Sequence, residues 1–155
     1  MVNQFIETWR INNRVNLMLL DGISDGGLNL SLSKQRIGTA AKQFAHLHNI
    51  RFDKLKKLAV NLGEEQEKLY LESKITRDIL RYELIKSSEA IEKVLRRGFE
   101  NEGELKGYRR GVITFMGYLI SYESHRRSNI MLMLKQNGYK LPKSISYDIW
   151  DWNKL

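Results

Sequence analysis

The sequence predicts an all-α fold: a four-helix bundle with long crossover loops and a short C-terminal helix. Three observations carry this. Four long segments repeat apolar residues at three-or-four spacing, the period of one buried helix face. No stretch alternates apolar and polar residues as a half-buried strand does. Glycines and cap residues stand where the four segments end.

The first segment runs from about Val2 to Ile23, with Ile6, Trp9, Leu17 and Leu20 on one face. It stops at Gly22, Gly26 and Gly27, which break helices through backbone entropy. The second runs from about Thr39, a plausible N-cap, to Leu62, with Gly63 as its stop. Its stripe is Ala41, Phe44, His48, Leu55, Leu58 and Leu62. The third runs from about Thr76 to Phe99, with Leu80, Leu84, Ile91, Val94 and Leu95 inward. The fourth runs from about Tyr108 to Asn137, and Gly138 stands where a left-handed C-terminal residue belongs, with Pro142 beyond it. The tail Ser146–Trp152 reads as a short aromatic-rich helix packing back on the bundle. Connections of roughly 8–15 residues exceed what a minimal helical hairpin needs, which leaves room for crossovers.

A chain of 155 residues favours a single domain, residues 1–155. The absence of cysteine excludes disulfides, thiolate nucleophiles and cysteine metal sites. No apolar run approaches the roughly 18 residues of a membrane span, so no membrane partner is expected. The opening residues MVNQFIETWR lack a secretory pattern, and a cytoplasmic location is the expectation. The net charge is +8. It is spread along the chain: +3 over residues 1–75 (11 basic, 8 acidic) and +5 over residues 76–155 (15 basic, 10 acidic). Nucleic-acid binders concentrate charge in a patch. A solvated basic surface is therefore expected rather than a nucleic-acid footprint, and a basic nucleic-acid-binding bundle stands only as an alternative. A small anionic partner fits the same charge.

Chemistry is most legible on the fourth helix. Val112, Met116, Leu119, Ile130, Met133 and Leu134 share one broad stripe at 100° per residue, and Tyr122, Glu123 and Arg126 interrupt it midway. A charge on a buried stripe is costly unless paired or wetted. The interruption fits either a Glu123–Arg126 pair at i, i+3 or a water-filled pocket. In the second helix, His48 falls on the apolar stripe and His46 off it. In the first, Asn13 lies in line between Trp9 and Leu17 and faces the same interior. His46, His48 and His125 do not have zinc-site spacing, and no nucleophile elbow, P-loop or dinucleotide fingerprint is present. The arginine pairs, Arg126–Arg127 among them, read as helix-end or surface charges.

The segment GTAAKQFAHLHNIRFDKL, Gly38–Leu55, resembles the second helix of the DinB-like family of small bacterial four-helix proteins. The segment GYLISYESHRRSNIMLMLKQNGYKLP, Gly117–Pro142, resembles that family's last long helix and its exit. The resemblance implies a DinB-like bundle and a divalent metal, zinc or nickel, held by three histidines. One implied ligand position falls on His46; the other two fall on Tyr122 and Arg126. Arginine has no lone pair to give, and tyrosine ligates only as phenolate. Only His46 therefore matches a ligand, and the histidine triad is degenerate.

The family includes metal-dependent thiol S-transferases, so such an enzyme, or a hydrolase-like one, is one expectation. The leading expectation is a small-ligand-binding or catalytically degenerate member, with candidate pocket residues His46, His48, Tyr122, Glu123, Arg126 and Asn13. A homodimer is also expected, because Ile11, Leu19, Ile113 and Ile120 widen the apolar faces and Trp150 and Trp152 add to them.

Overall fold

A computed structural model describes residues 1–32, 38–70 and 73–155. Among these the chain is helical, with isolated bridges at Ser31–Thr39 and Leu105–Tyr108 and no β-strand. The helices are α1 (Val2–Asp21), α2 (Asp25–Leu28), α3 (Ala40–Leu58), α4 (Val60–Glu64), α5 (Arg77–Glu100), α6 (Gly111–Gln136) and α7 (Lys143–Asp148). The all-α reading holds. No described helix is long and apolar enough to cross a membrane.

Local chemistry sets the ends. Thr39 and Thr76 accept backbone hydrogen bonds from Lys42 and Ile79, satisfying N–H groups that the first turns of α3 and α5 leave unpaired. Gly138 takes the left-handed φ of 72° expected after α6. The second segment does not run to Leu62 unbroken. The chain leaves the helix at Ala59 and re-forms α4, which folds back so closely that a Cβ on Gly63 would lie 2.7 Å from the Lys56 backbone nitrogen. Gly63 is thus a packing contact inside a short helix rather than a stop.

The four long helices pack around one interior. α5 lies along α1 and α3; α6 lies along α3 and more lightly along α1 and α5. Cross-helix bonds give the directions. Arg10 meets Glu92 near one end of the α1–α5 seam, and Arg81 meets Asp21 near the other, so the two are antiparallel. Arg77 donates to the Leu20 and Ile23 carbonyls, covering acceptors that the end of α1 leaves open. α3 and α5 run parallel: Ala41 and Arg77 share one end, and Arg51 and Ser87 meet midway. The connection 59–76 must therefore return the length of α3, about 28 Å. It is held on the way. Asn49 bonds both the N–H and the carbonyl of Leu69, and the His48 ring lies 2.7 Å from the Glu67 carbonyl.

The tail packs back as expected, although α7 ends at Asp148, before the tryptophans. Ile145 contacts Gly22 and Ile149 is buried. The apolar core divides in two. One cluster gathers Leu19, Leu20, Phe44, Leu80, Leu84 and Leu134; the other gathers Trp9, Leu55, Ile91, Val94, Phe115 and Leu119. Leu19, expected on a flank, is fully buried in the first cluster. Between the two lies a layer of polar side chains.

Candidate functional site

Every long helix contributes to that layer. Arg51 of α3 and Glu123 of α6 are both 0% exposed. Their pairing is bidentate: Arg51 Nε donates to Glu123 Oε1 at 2.6 Å and Nη2 to Oε2 at 2.9 Å. Arg51 Nη1 donates to Asn13 Oδ1 and to the Leu84 carbonyl, and the guanidinium lies 4.9 Å from the Trp9 ring centroid. Asn12 and Asn16 of α1 both donate to Glu123 Oε2. Their oxygens in turn accept from Arg127 Nη1 at 3.0 and 2.6 Å. Arg127, 7% exposed, has its pKa lowered first by burial, which the Glu123 charge opposes. Two guanidiniums thus share one carboxylate.

His48 lies at the edge of the layer, fully buried, with ring nitrogens facing the Glu67 and Glu83 carbonyls. Those carbonyls favour an imidazolium. Burial, helped by the Arg51 and Lys86 charges, outweighs them and holds the ring's pKa below its ordinary value. Glu83 is pushed up, chiefly by burial, and its Oε2 has no hydrogen-bond partner among the described residues.

A second group lies nearer the surface, where α3 and α6 meet. Tyr122 and Arg126 sit one turn apart on α6 and are half-buried. Arg126 donates to the Tyr122 hydroxyl from Nη2 at 2.7 Å and to Gln43 Oε1 from Nη1 at 3.1 Å. Both acceptors are neutral, and no carboxylate reaches Arg126 among the described residues. His46 lies close enough that the Arg126 charge, after burial, lowers its pKa. Tyr118 and Lys54 extend the face, with Nζ 4.7 Å from the Tyr118 ring centroid. His46 also lines a cavity of about 300 Å³ with Asn49, Asp53, Lys68 and Tyr70.

The six sequence candidates therefore separate into two places. Asn13, His48 and Glu123 belong to the buried layer; His46, Tyr122 and Arg126 form the α3–α6 face. The expected Glu123–Arg126 pair does not form, because Arg51 saturates Glu123 from the opposite helix. Arg127, read as a surface charge, is buried instead. Sequence reasoning missed Arg51, Asn12, Asn16, Gln43 and Arg127. A signal was present for two of the helices: Arg51 shares the stripe of Phe44, His48 and Leu55, and Asn12 and Asn16 stand at i, i+4.

A zinc or nickel ion does not suit these residues. The guanidinium beside His46 repels a cation and offers no lone pair. No group of three histidine, cysteine, aspartate or glutamate residues able to hold a metal ion occurs among the described residues. No protein-family model, curated protein or solved structure matches the chain.

Proposed function

We propose that this chain is a DinB-like four-helix bundle in which a guanidinium stands at the metal position, and that it binds a small anion there instead of a metal. One observation carries the reading: Arg126 is held between Tyr122 and Gln43, both neutral, with its positive charge offset by no carboxylate among the described residues. A half-buried cation without a counter-charge is stabilised by a bound anion. Lys54 adds a second positive charge, Tyr118 and Tyr122 offer aromatic faces, and His46, its pKa lowered, presents a neutral ring. The protein acts in this reading as a cytoplasmic, homodimeric ligand binder and not as a metal-dependent thiol transferase.

Inorganic phosphate is a suitable first probe. Titration is expected to raise the melting temperature saturably in the wild type and in Lys93→Gln, but not in Arg126→Gln. Purified untagged protein is expected to carry far less than one transition metal per chain. Near-stoichiometric zinc or nickel, lost on His46→Ala, would overturn the reading.

A further inference from the structure

The α3–α6 face leaves the buried layer unexplained. Two arginines, Arg51 and Arg127, flank one carboxylate, Glu123, and no acid forms an ion pair with Arg127 among the described residues. Around Glu123 there are thus two guanidiniums to one carboxylate, the other buried acid, Glu83, lying beside His48. Arg51 spends all three guanidinium nitrogens on protein acceptors. Arg127 does not: only Nη1 is engaged, with Asn12 and Asn16, while Nε and Nη2 have no acceptor among the described residues. The guanidinium without an ion pair thus also carries the unused donors.

Arg127 lines a cavity of about 190 Å³ enclosed by α1, α6 and the tail. Its apolar walls are Val15, Ile120, Met131, Ile149, Trp150 and Trp152. Ser124 and Ser128 add hydroxyl groups beside the guanidinium. The lining is more apolar than polar, with its single charged group nine-tenths buried. Ligand pockets combine an apolar body site with few fixed polar groups in this way.

We propose that this cavity binds an amphipathic monocarboxylate, its carboxylate on Arg127 and its apolar body between the two tail tryptophans. The ligand is a carboxylate because a planar guanidinium with free Nε and Nη2 donors presents a fork that matches two carboxylate oxygens. A single negative charge suffices, since Glu123 is already held by Arg51 and Arg127 is the one guanidinium left to offset. The body is aromatic or short aliphatic because the walls are indoles and branched aliphatics. The tail has a defined part: it supplies three of the walls, Ile149, Trp150 and Trp152.

The test titrates the full chain with benzoate, 3-phenylpropionate and octanoate, against 3-phenylpropan-1-ol and acetate as controls, following melting temperature and tryptophan fluorescence. At least one of the three acids is expected to bind saturably and to change tryptophan emission. The alcohol and acetate are expected to bind about tenfold or more weakly, as each lacks half of the match. Arg127→Gln is expected to weaken the acid by a similar factor. Ser124→Phe, which fills the cavity and leaves the buried layer intact, is expected to abolish binding even where Arg127→Gln fails to fold. Lys93→Gln is expected to leave acid binding unchanged, which separates this cavity from general attraction to surface charge. No saturable binding of any acid below about 10 mM overturns the assignment. So does equal binding of acid and alcohol, or retention of acid binding in a folded Ser124→Phe.

Discussion

Two neighbouring arginines on α6 show how one residue of rotation separates roles. Arg126 sits half-buried on the α3–α6 face, and Arg127 enters the interior. A step of one residue turns a helix by about 100°. The contrast with Arg51 is sharper still, since Arg51 holds the Glu123 carboxylate through two bonds. Arg51→Ala leaves Glu123 buried without its principal counter-charge, and a loss of about 3–5 kcal/mol is expected. Arg126→Ala is expected to cost about 1 kcal/mol or less. Urea unfolding of both variants decides; equal small losses would show that the buried pair is not what holds the layer.

His48 gives the pH prediction at the same scale. Its pKa is lower in the folded chain than the ordinary 6.5, so below that value the unfolded chain binds more protons. The contribution of His48 is present above pH 6.5 and is lost as pH falls through the folded pKa. The slope has a ceiling of about 1.4 kcal/mol per pH unit. Glu83, raised by burial, acts in the opposite direction, so His48 is isolated by comparing variants at that position alone. The stability gap between wild type and His48→Gln should narrow from pH 7.5 to 5. A constant gap would mean that folding does not shift the ring's pKa.

Among the elements, the return connection beyond α4 is held by a few polar contacts. Asn49 alone supplies two hydrogen bonds to Leu69. Asn49→Ala is therefore expected to cost about 1–3 kcal/mol and to raise amide hydrogen exchange around Leu69 before any change in α1. Uniform exchange along the chain would show that the connection unfolds only with the whole. This return path was not legible in the sequence. Apolar period reports which face of a helix is inward, and says nothing of which way the helix points. The break at Ala59 was hidden for a related reason: Leu55, Leu58 and Leu62 keep the period across it, and Gly63 reads equally well as a stop. By contrast the caps Thr39 and Thr76 and the glycine after α6 were legible, because each satisfies a local backbone need. In the candidate site, inward positions such as Asn13 were readable from the wheel. Partners were not, since Arg51 and Glu123 are 72 residues apart and only packing brings them together.

At the scale of the whole molecule, several apolar side chains are largely exposed. Ile113 is 55% exposed and Leu132 is 54% exposed, both on α6, and Trp150 on the tail is 67% exposed. Such groups on a well-filled bundle suit a symmetric contact between copies. Light scattering at micromolar concentration is expected to give about twice the 18.2 kDa chain mass. Ile113→Glu is expected to shift the population toward monomer without lowering helicity. A mass that stays at one chain on concentration removes the dimer and leaves the fold untouched.

The polar layer also sets a timetable for synthesis. Asn12 and Asn16 lie on α1, and Glu123 and Arg127 follow 111 residues behind them. At about 5–20 residues per second, that interval lasts about 6–20 s. During it Asn12 and Asn16 lack the carboxylate and the guanidinium that pair them in the finished fold. With Asn13 they place three asparagines on the face that α1 buries, and these are expected to keep the waiting helix hydrated and to make it a poor substrate for premature association.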